Sequence, residues 1–223
     1  KALASTERMR KVAETEPDER DEWKVEAYVM LGLSNFFLGN LAEAEKHLLA
    51  TLDLYRHEVH SSHAFLFGQD PEALALSYLV STYFSSGDFV RLEECYVQLQ
   101  DRAKSRQHPI SRSYCYLFGG WKHMNMEDYS KAGTLIDAAT QITNEHGLMN
   151  FANHAAVLSS LHQFELKREP ALIQRIDDAL TKFRADGSRC LLVSWESYFV
   201  RACVQAGMLD KATEIMNRME ADY

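Results

Sequence analysis

The chain has 223 residues, of which 46% are hydrophobic and 25% charged, a balance that excludes a disordered segment and leaves enough length for a substantial core. Its formal net charge of −8 disfavours non-specific attachment to nucleic acid or to an anionic membrane. No run approaches the ~18 apolar residues of a transmembrane helix. Ten glycines and four prolines leave few turns, as long helices on short connections require.

In chain order, the residues before Glu22 read as a helix with Met9 and Val12 on its apolar side, broken at Pro17-Asp18. This stretch has no signal-peptide apolar region and begins mid-pattern, so a fragment of a larger protein is expected. From Val25 the residues match the tetratricopeptide (TPR) pattern of two helices, A and B: Tyr28, Leu31-Gly32, Gly39, Leu41, Ala44, Leu48 and Thr51. Asn35 stands where the pattern has Tyr.

The frame returns from Ala73 (Leu76, Leu79, Gly87, Phe89, Leu92, Tyr96, Leu99) and from Ser113 (Tyr116, Gly119, Gly120, Tyr129, Ala132, Ile136). It is degenerate from Asn153 (Ala156, Leu172, Ile176, Ala179) and clear again from Val193 (Phe199, Gly207, Leu209, Ala212, Met216). Starts at 25, 73, 113, 153 and 193 lie 48, 40, 40 and 40 residues apart. Small residues in this frame let helices approach, and large ones fill the space between. Gly39, Gly87 and Gly207 mark A–B turns, Asp70-Pro71 and His108-Pro109 open A helices, and Asp88 and Asp128 cap B helices. Pro170 belongs to the first turn of a B helix. The expected fold is all-α: a single TPR-like, right-handed superhelical solenoid of about eleven antiparallel helices over 1–223, with a repeat of about 40 residues.

Cys95, Cys115, Cys190 and Cys203 form no CxxC pair and fall in apolar stretches, which points to reduced, buried thiols in a cytoplasmic protein. His57, His60 and His63 have metal-like spacing, but they fall at a helix end beside a loop with only Glu58 nearby, so solvated loop histidines are expected and no metal. The charged runs at 14–22 and 102–106 read as solvated linker and helix end.

Repeats of this longer period, with a Gly-x-Asp-Pro loop before an A helix, resemble the C-terminal repeat region of large bacterial signalling proteins: STAND-type ATPases, adenylate cyclases and maltose-regulator-like transcription activators. The residues that carry the resemblance are 68–89, 108–123 and 186–216. It implies repeats that bind an inducer or a partner protein and restrain an output domain. No GxxxxGK[ST] phosphate loop is present, so the chain is not the ATPase itself.

In TPR-like folds one set of A-helix positions lines a concave face. Here the candidates for ligand or peptide binding are Phe36, Phe84, Tyr114, Trp121, Met124, His154, Phe164 and Arg201, with Phe37, Leu74, Ser77, Ser81, Asn125, Val157, Leu161, Glu165 and Gln205 on the same face. The aromatic and methionine stripe has two readings, a groove for an apolar or amphipathic segment or the packed core of tightly curled helices. No nucleophile elbow, HExxH or GxGxxG is present, so no enzyme and no cofactor are expected. The functional expectation is a non-catalytic module of a bacterial cytoplasmic regulator, taking a protein segment or small inducer in its groove, without nucleic-acid or membrane contact. The alternative is a self-association module, dimerising through the helix around Leu209–Met219.

Overall fold

The computed structural model describes residues 2–15, 21–106, 108–187 and 191–222. The break expected at Pro17-Asp18 and the thiol of Cys190 lie outside these residues. The described residues form thirteen helical segments and no strand. Eleven are helices of 14 to 19 residues: α1 (Ala2–Thr15), α2 (Glu22–Phe37), α3 (Leu41–Leu54), α6 (Pro71–Ser86), α7 (Phe89–Ser105), α8 (Pro109–Asn125), α9 (Tyr129–Glu145), α10 (Met149–Lys167), α11 (Ala171–Ala185), α12 (Leu192–Gln205) and α13 (Leu209–Asp222). The other two, α4 (His57–His60) and α5 (His63–Leu66), are single turns. None is long and apolar enough to cross a membrane.

The helix boundaries follow local chemistry. Asp70 Oδ1 accepts the backbone N–H groups of Glu72 and Ala73, and Pro71 takes the first helical position of α6, where an N–H has no partner to lose. Asp88 and Asp128 cap α7 and α9 through the N–H groups of Arg91 and Lys131. Gly39, Gly87 and Gly207 adopt left-handed φ values of 77°, 77° and 74°, which a Cβ would resist. The N–H after each closes on the carbonyl five residues back: Asn40 to Asn35, Asp88 to Tyr83 and Met208 to Cys203. Glu127 makes the same turn without glycine, and Asp128 N–H closes on His123. Pro170 caps the start of α11.

The chain divides into two compact units, 1–118 and 119–223, with the division inside α8. In residues 1–118, α2 packs on α1, α3 and α6, while α6 also packs on α3 and α7. Gly32 permits the closest approach: a Cβ there would lie 2.5 Å from Leu48 Cγ, and Leu48 is fully buried. Asn35, in place of the pattern's Tyr, donates from Nδ2 to the Leu31 carbonyl. Helix α6 is buried from Pro71 to Tyr83. Its small polar residues satisfy themselves: Ser77, Ser81 and Thr82 donate to the carbonyls of Ala73, Ser77 and Tyr78, one turn back.

In residues 119–223, α10 packs on α9, α11 and α12, and α12 also packs on α11 and α13. Gly120 repeats the device of Gly32, with its would-be Cβ 2.9 Å from Ile136 Cγ1. The core combines Ile136, Val157, Leu158, Leu161, Phe164, Ile176, Leu180, Phe183 and Phe199. Burying each such side chain stabilises by roughly 1.5–3 kcal/mol.

Candidate functional site

The positions expected to line the groove do not share one fate. In residues 1–118, Phe36 and Phe37 at the end of α2 meet Tyr78 of α6, with ring centroids 5.3 and 5.7 Å apart. Tyr78 meets Phe118 of α8 at 5.2 Å, and Phe118 meets Tyr114 at 6.3 Å. All these pairs are tilted or edge-on, the arrangement aromatic quadrupoles prefer. Tyr78 and Phe118 are buried, whereas Phe36 and Tyr114 are partly exposed and Phe37 is 48% exposed. Phe84, also partly exposed, meets Phe89 at 6.2 Å. Leu74, Ser77 and Ser81 are buried inside the unit.

In residues 119–223, Met124 and Phe164 belong to the hydrophobic core. His154 is buried, edge-on to Phe183 at 4.6 Å, and its Nδ1 accepts from Trp195 Nε1 at 3.1 Å. Burial pushes the His154 pKa down to about 4, which keeps the ring neutral as that bond requires, while the charge of Asp186 opposes the shift weakly. Trp121 is half-buried at the end of α8 and donates from Nε1 to the Tyr198 hydroxyl at 3.0 Å; that hydroxyl donates to Asn125 Oδ1 at 2.8 Å. Arg201 is exposed on α12 and donates to Glu165 Oε1 of α10 at 2.7 Å. The other carboxylate oxygen of Glu165 accepts from Arg168, which also donates to Gln205. The guanidinium of Arg201 lies 5.3 Å over the Tyr198 ring, and that of Arg168 lies 5.7 Å over Phe164.

Sequence reasoning missed Tyr78, Phe118, Tyr198 and Arg168. The first three share one signal. Each lies five residues beyond a repeat start, at 73, 113 and 193, so an aromatic recurs at one place in the frame. Arg168 carries no such mark.

The histidine run requires a correction. His57 is exposed, but His60 and His63 are buried and not solvated. His63 Nδ1 lies 2.8 Å from Glu26 Oε1, Gln69 Nε2 donates to the other oxygen of Glu26, and His60 Nδ1 accepts from Arg56 N–H. The physical reason is the 48-residue interval: its extra residues form α4 and α5, which bring His63 against α2. Glu26 is 37 positions away in sequence, so local spacing gave no sign of it. Among the described residues no three His, Cys, Asp or Glu side chains are placed to hold a metal ion.

The same insertion walls an open cavity of about 560 Å³ in residues 1–118, bordered by Tyr55, Phe65, Asp70, Arg106, His108 and Ser111. Asp70 Oδ2 accepts the Ser111 hydroxyl there, and burial lowers the His108 pKa. The described thiols, Cys95, Cys115 and Cys203, are free and buried. Burial raises Cys95 to about 11 and Cys115 to about 12, so neither is an activated nucleophile. No protein-family model, no curated protein and no solved structure matches this chain.

Proposed function

We propose that this chain is a non-catalytic recognition module with TPR-like repeats of about 40 residues, and that its partner is an apolar or amphipathic protein segment. The supporting observation is the aromatic ladder of residues 1–118. Residues from α2, α6 and α8, the A helices of successive repeats, meet through their rings and leave Phe36 and Phe37 open at one end. A rigid aromatic edge of this kind offers contact area at little entropic cost. The repeat reading is supported by left-handed turns at Gly39, Gly87, Glu127, Arg168 and Gly207, spaced 48, 40, 41 and 39 residues apart in step with the sequence frame. It is supported again by the pairing of Gly32 with Leu48 and of Gly120 with Ile136, the same two frame positions in two repeats. A bacterial cytoplasmic regulator as the parent protein remains the setting that the resemblance implies.

The test is selection of displayed peptides by the full chain, comparing wild type with Phe37→Ser, whose exposed position spares the fold. Enrichment by the wild type of peptides with apolar residues three and four apart, lost in Phe37→Ser, supports the reading. Equal enrichment by both proteins, or none by either, rejects it. Concentration-dependent mass without peptide selection favours self-association instead.

A further inference from the structure

Among the described residues three glutamates each accept from two arginines: Glu72 from Arg102 and Arg106, Glu196 from Arg184 and Arg218, and Glu165 from Arg168 and Arg201. The third cluster differs in what it leaves open. The side chains of Arg168 and Arg201 are 45% and 49% exposed, whereas at least one arginine of each other cluster is no more than a quarter exposed. Glu165 itself is 5% exposed, with each oxygen taken by a guanidinium. Within this cluster one carboxylate faces two guanidiniums; the Tyr129 hydroxyl also donates to Glu165 Oε2 at 3.4 Å, and the Glu127 carboxylate acts on that hydroxyl from beyond the cluster.

Both guanidiniums are already oriented. Arg201 is tied to Glu165 and lies over Tyr198, whose hydroxyl is fixed by Trp121 and Asn125. Arg168 is tied to Glu165 and Gln205 and lies over Phe164. The rotamer freedom that an arginine normally loses on binding has therefore been lost on folding. Each guanidinium has five N–H donors, and only one or two are engaged in these bonds, so an oxyanion approaching from solvent meets several free donors in fixed planes. Exposed Val204, one turn beyond Arg201 on α12, puts apolar surface next to that charge.

We propose that Arg168 and Arg201, held by Glu165, form a binding site for a carboxylate, presented by an acidic side chain flanked by apolar residues in a partner protein segment. The exposed valine beside Arg201 favours such a segment over a free inorganic anion. This site is built from residues of 119–223 alone and does not rest on the reading of the aromatic ladder.

The experiment is calorimetric titration of the full chain, at low ionic strength, with a capped tri-glutamate peptide, its tri-glutamine counterpart and inorganic phosphate. Tri-glutamate is expected to bind and tri-glutamine not. Arg168→Gln and Arg201→Gln should each weaken binding roughly tenfold, the scale of one charge-assisted hydrogen bond. Arg201→Lys should recover only part, because an ammonium cannot present a planar fork over Tyr198. Lys182→Gln, which removes one exposed charge elsewhere, and Phe37→Ser should leave binding within about twofold. Circular dichroism and melting check that each variant is folded. Absence of tri-glutamate binding overturns the proposal, as does equal weakening by Lys182→Gln. Binding of phosphate without tri-glutamate overturns the carboxylate assignment in favour of a phosphate site.

Discussion

Helices α6 and α10 occupy matching places, the first in residues 1–118 and the second in 119–223. Each is packed by three other helices of its unit, and each is buried along the face that the repeat pattern assigns to a groove. They are sealed by opposite chemistry. Helix α6 uses Ser77, Ser81 and Thr82, whose hydroxyls bond back to their own helix and let neighbours approach. Helix α10 uses Val157, Leu161 and Phe164, which join the hydrophobic core. The last turns of both α2 and α6 are more open, with Phe36 and Phe84 partly exposed and Phe37 exposed, and on α12 Arg201 and Val204 are exposed.

Glu72 of residues 1–118 and Glu196 of residues 119–223 also differ in how they are held between two arginines. Glu72 gives one oxygen to Arg102 at 2.7 Å and the other to Arg106 at 2.9 Å. Glu196 is 1% exposed and takes Arg184 and Arg218 on Oε1 alone, so Oε2 is buried without a partner among the described residues. Glu196 is the more deeply buried, at 1% exposed against 10% for Glu72, so its removal should have the larger effect. Glu196→Ala is expected to cost about 3 kcal/mol, because it strands two partly buried guanidiniums. Glu72→Ala should cost about 1–2 kcal/mol, since Arg102 is already 42% exposed and rehydrates readily. Urea unfolding of both variants measures the difference, and equal losses would break the contrast.

Acid should also weigh on residues 119–223. The folded pKa of His154 is about 4 and its ordinary value is 6.5, so the unfolded chain binds the extra proton between those two pH values. Its contribution to stability is full above about pH 6.5 and declines as pH falls, by about 2 kcal/mol at pH 5, with the loss complete below about pH 4. His154→Gln, neutral throughout, should flatten that part of the urea-midpoint profile. An unchanged profile would remove His154 as its source.

The glycine contacts invite a finer comparison. Gly32→Ala drives a methyl against Leu48 in a filled core and is expected to cost about 1–2 kcal/mol net of the helix-propensity gain. Gly120→Ala, with its nearest contact at the longer distance of 2.9 Å, should fall within about 0.5 kcal/mol of wild type. Thermal melts of the two variants decide it, and a reversed order would mean that Leu48 yields more easily than Ile136. Trp121→Phe removes one partly buried hydrogen bond and should cost about 1 kcal/mol, leaving the bond from Tyr198 to Asn125 in place. A cost near 3 kcal/mol would make Trp121 a packing residue of the core.

The sequence by itself determined where helices begin and end. Asp70-Pro71, Asp88 and Asp128 set the starts, and Gly39, Gly87 and Gly207 set the turns, because a cap or a left-handed residue acts within one turn of backbone. It also marked the tight contacts of Gly32 and Gly120, since their partners recur at a fixed distance along the chain. Tertiary structure decided the rest. It made Met124 and Phe164 core while Phe37 stayed exposed, sealed His63 against Glu26, and set Arg168 beside Arg201 around Glu165. Burial and charge pairing depend on atoms contributed by helices distant in sequence, and a periodic pattern does not show how many of those helices surround a given face.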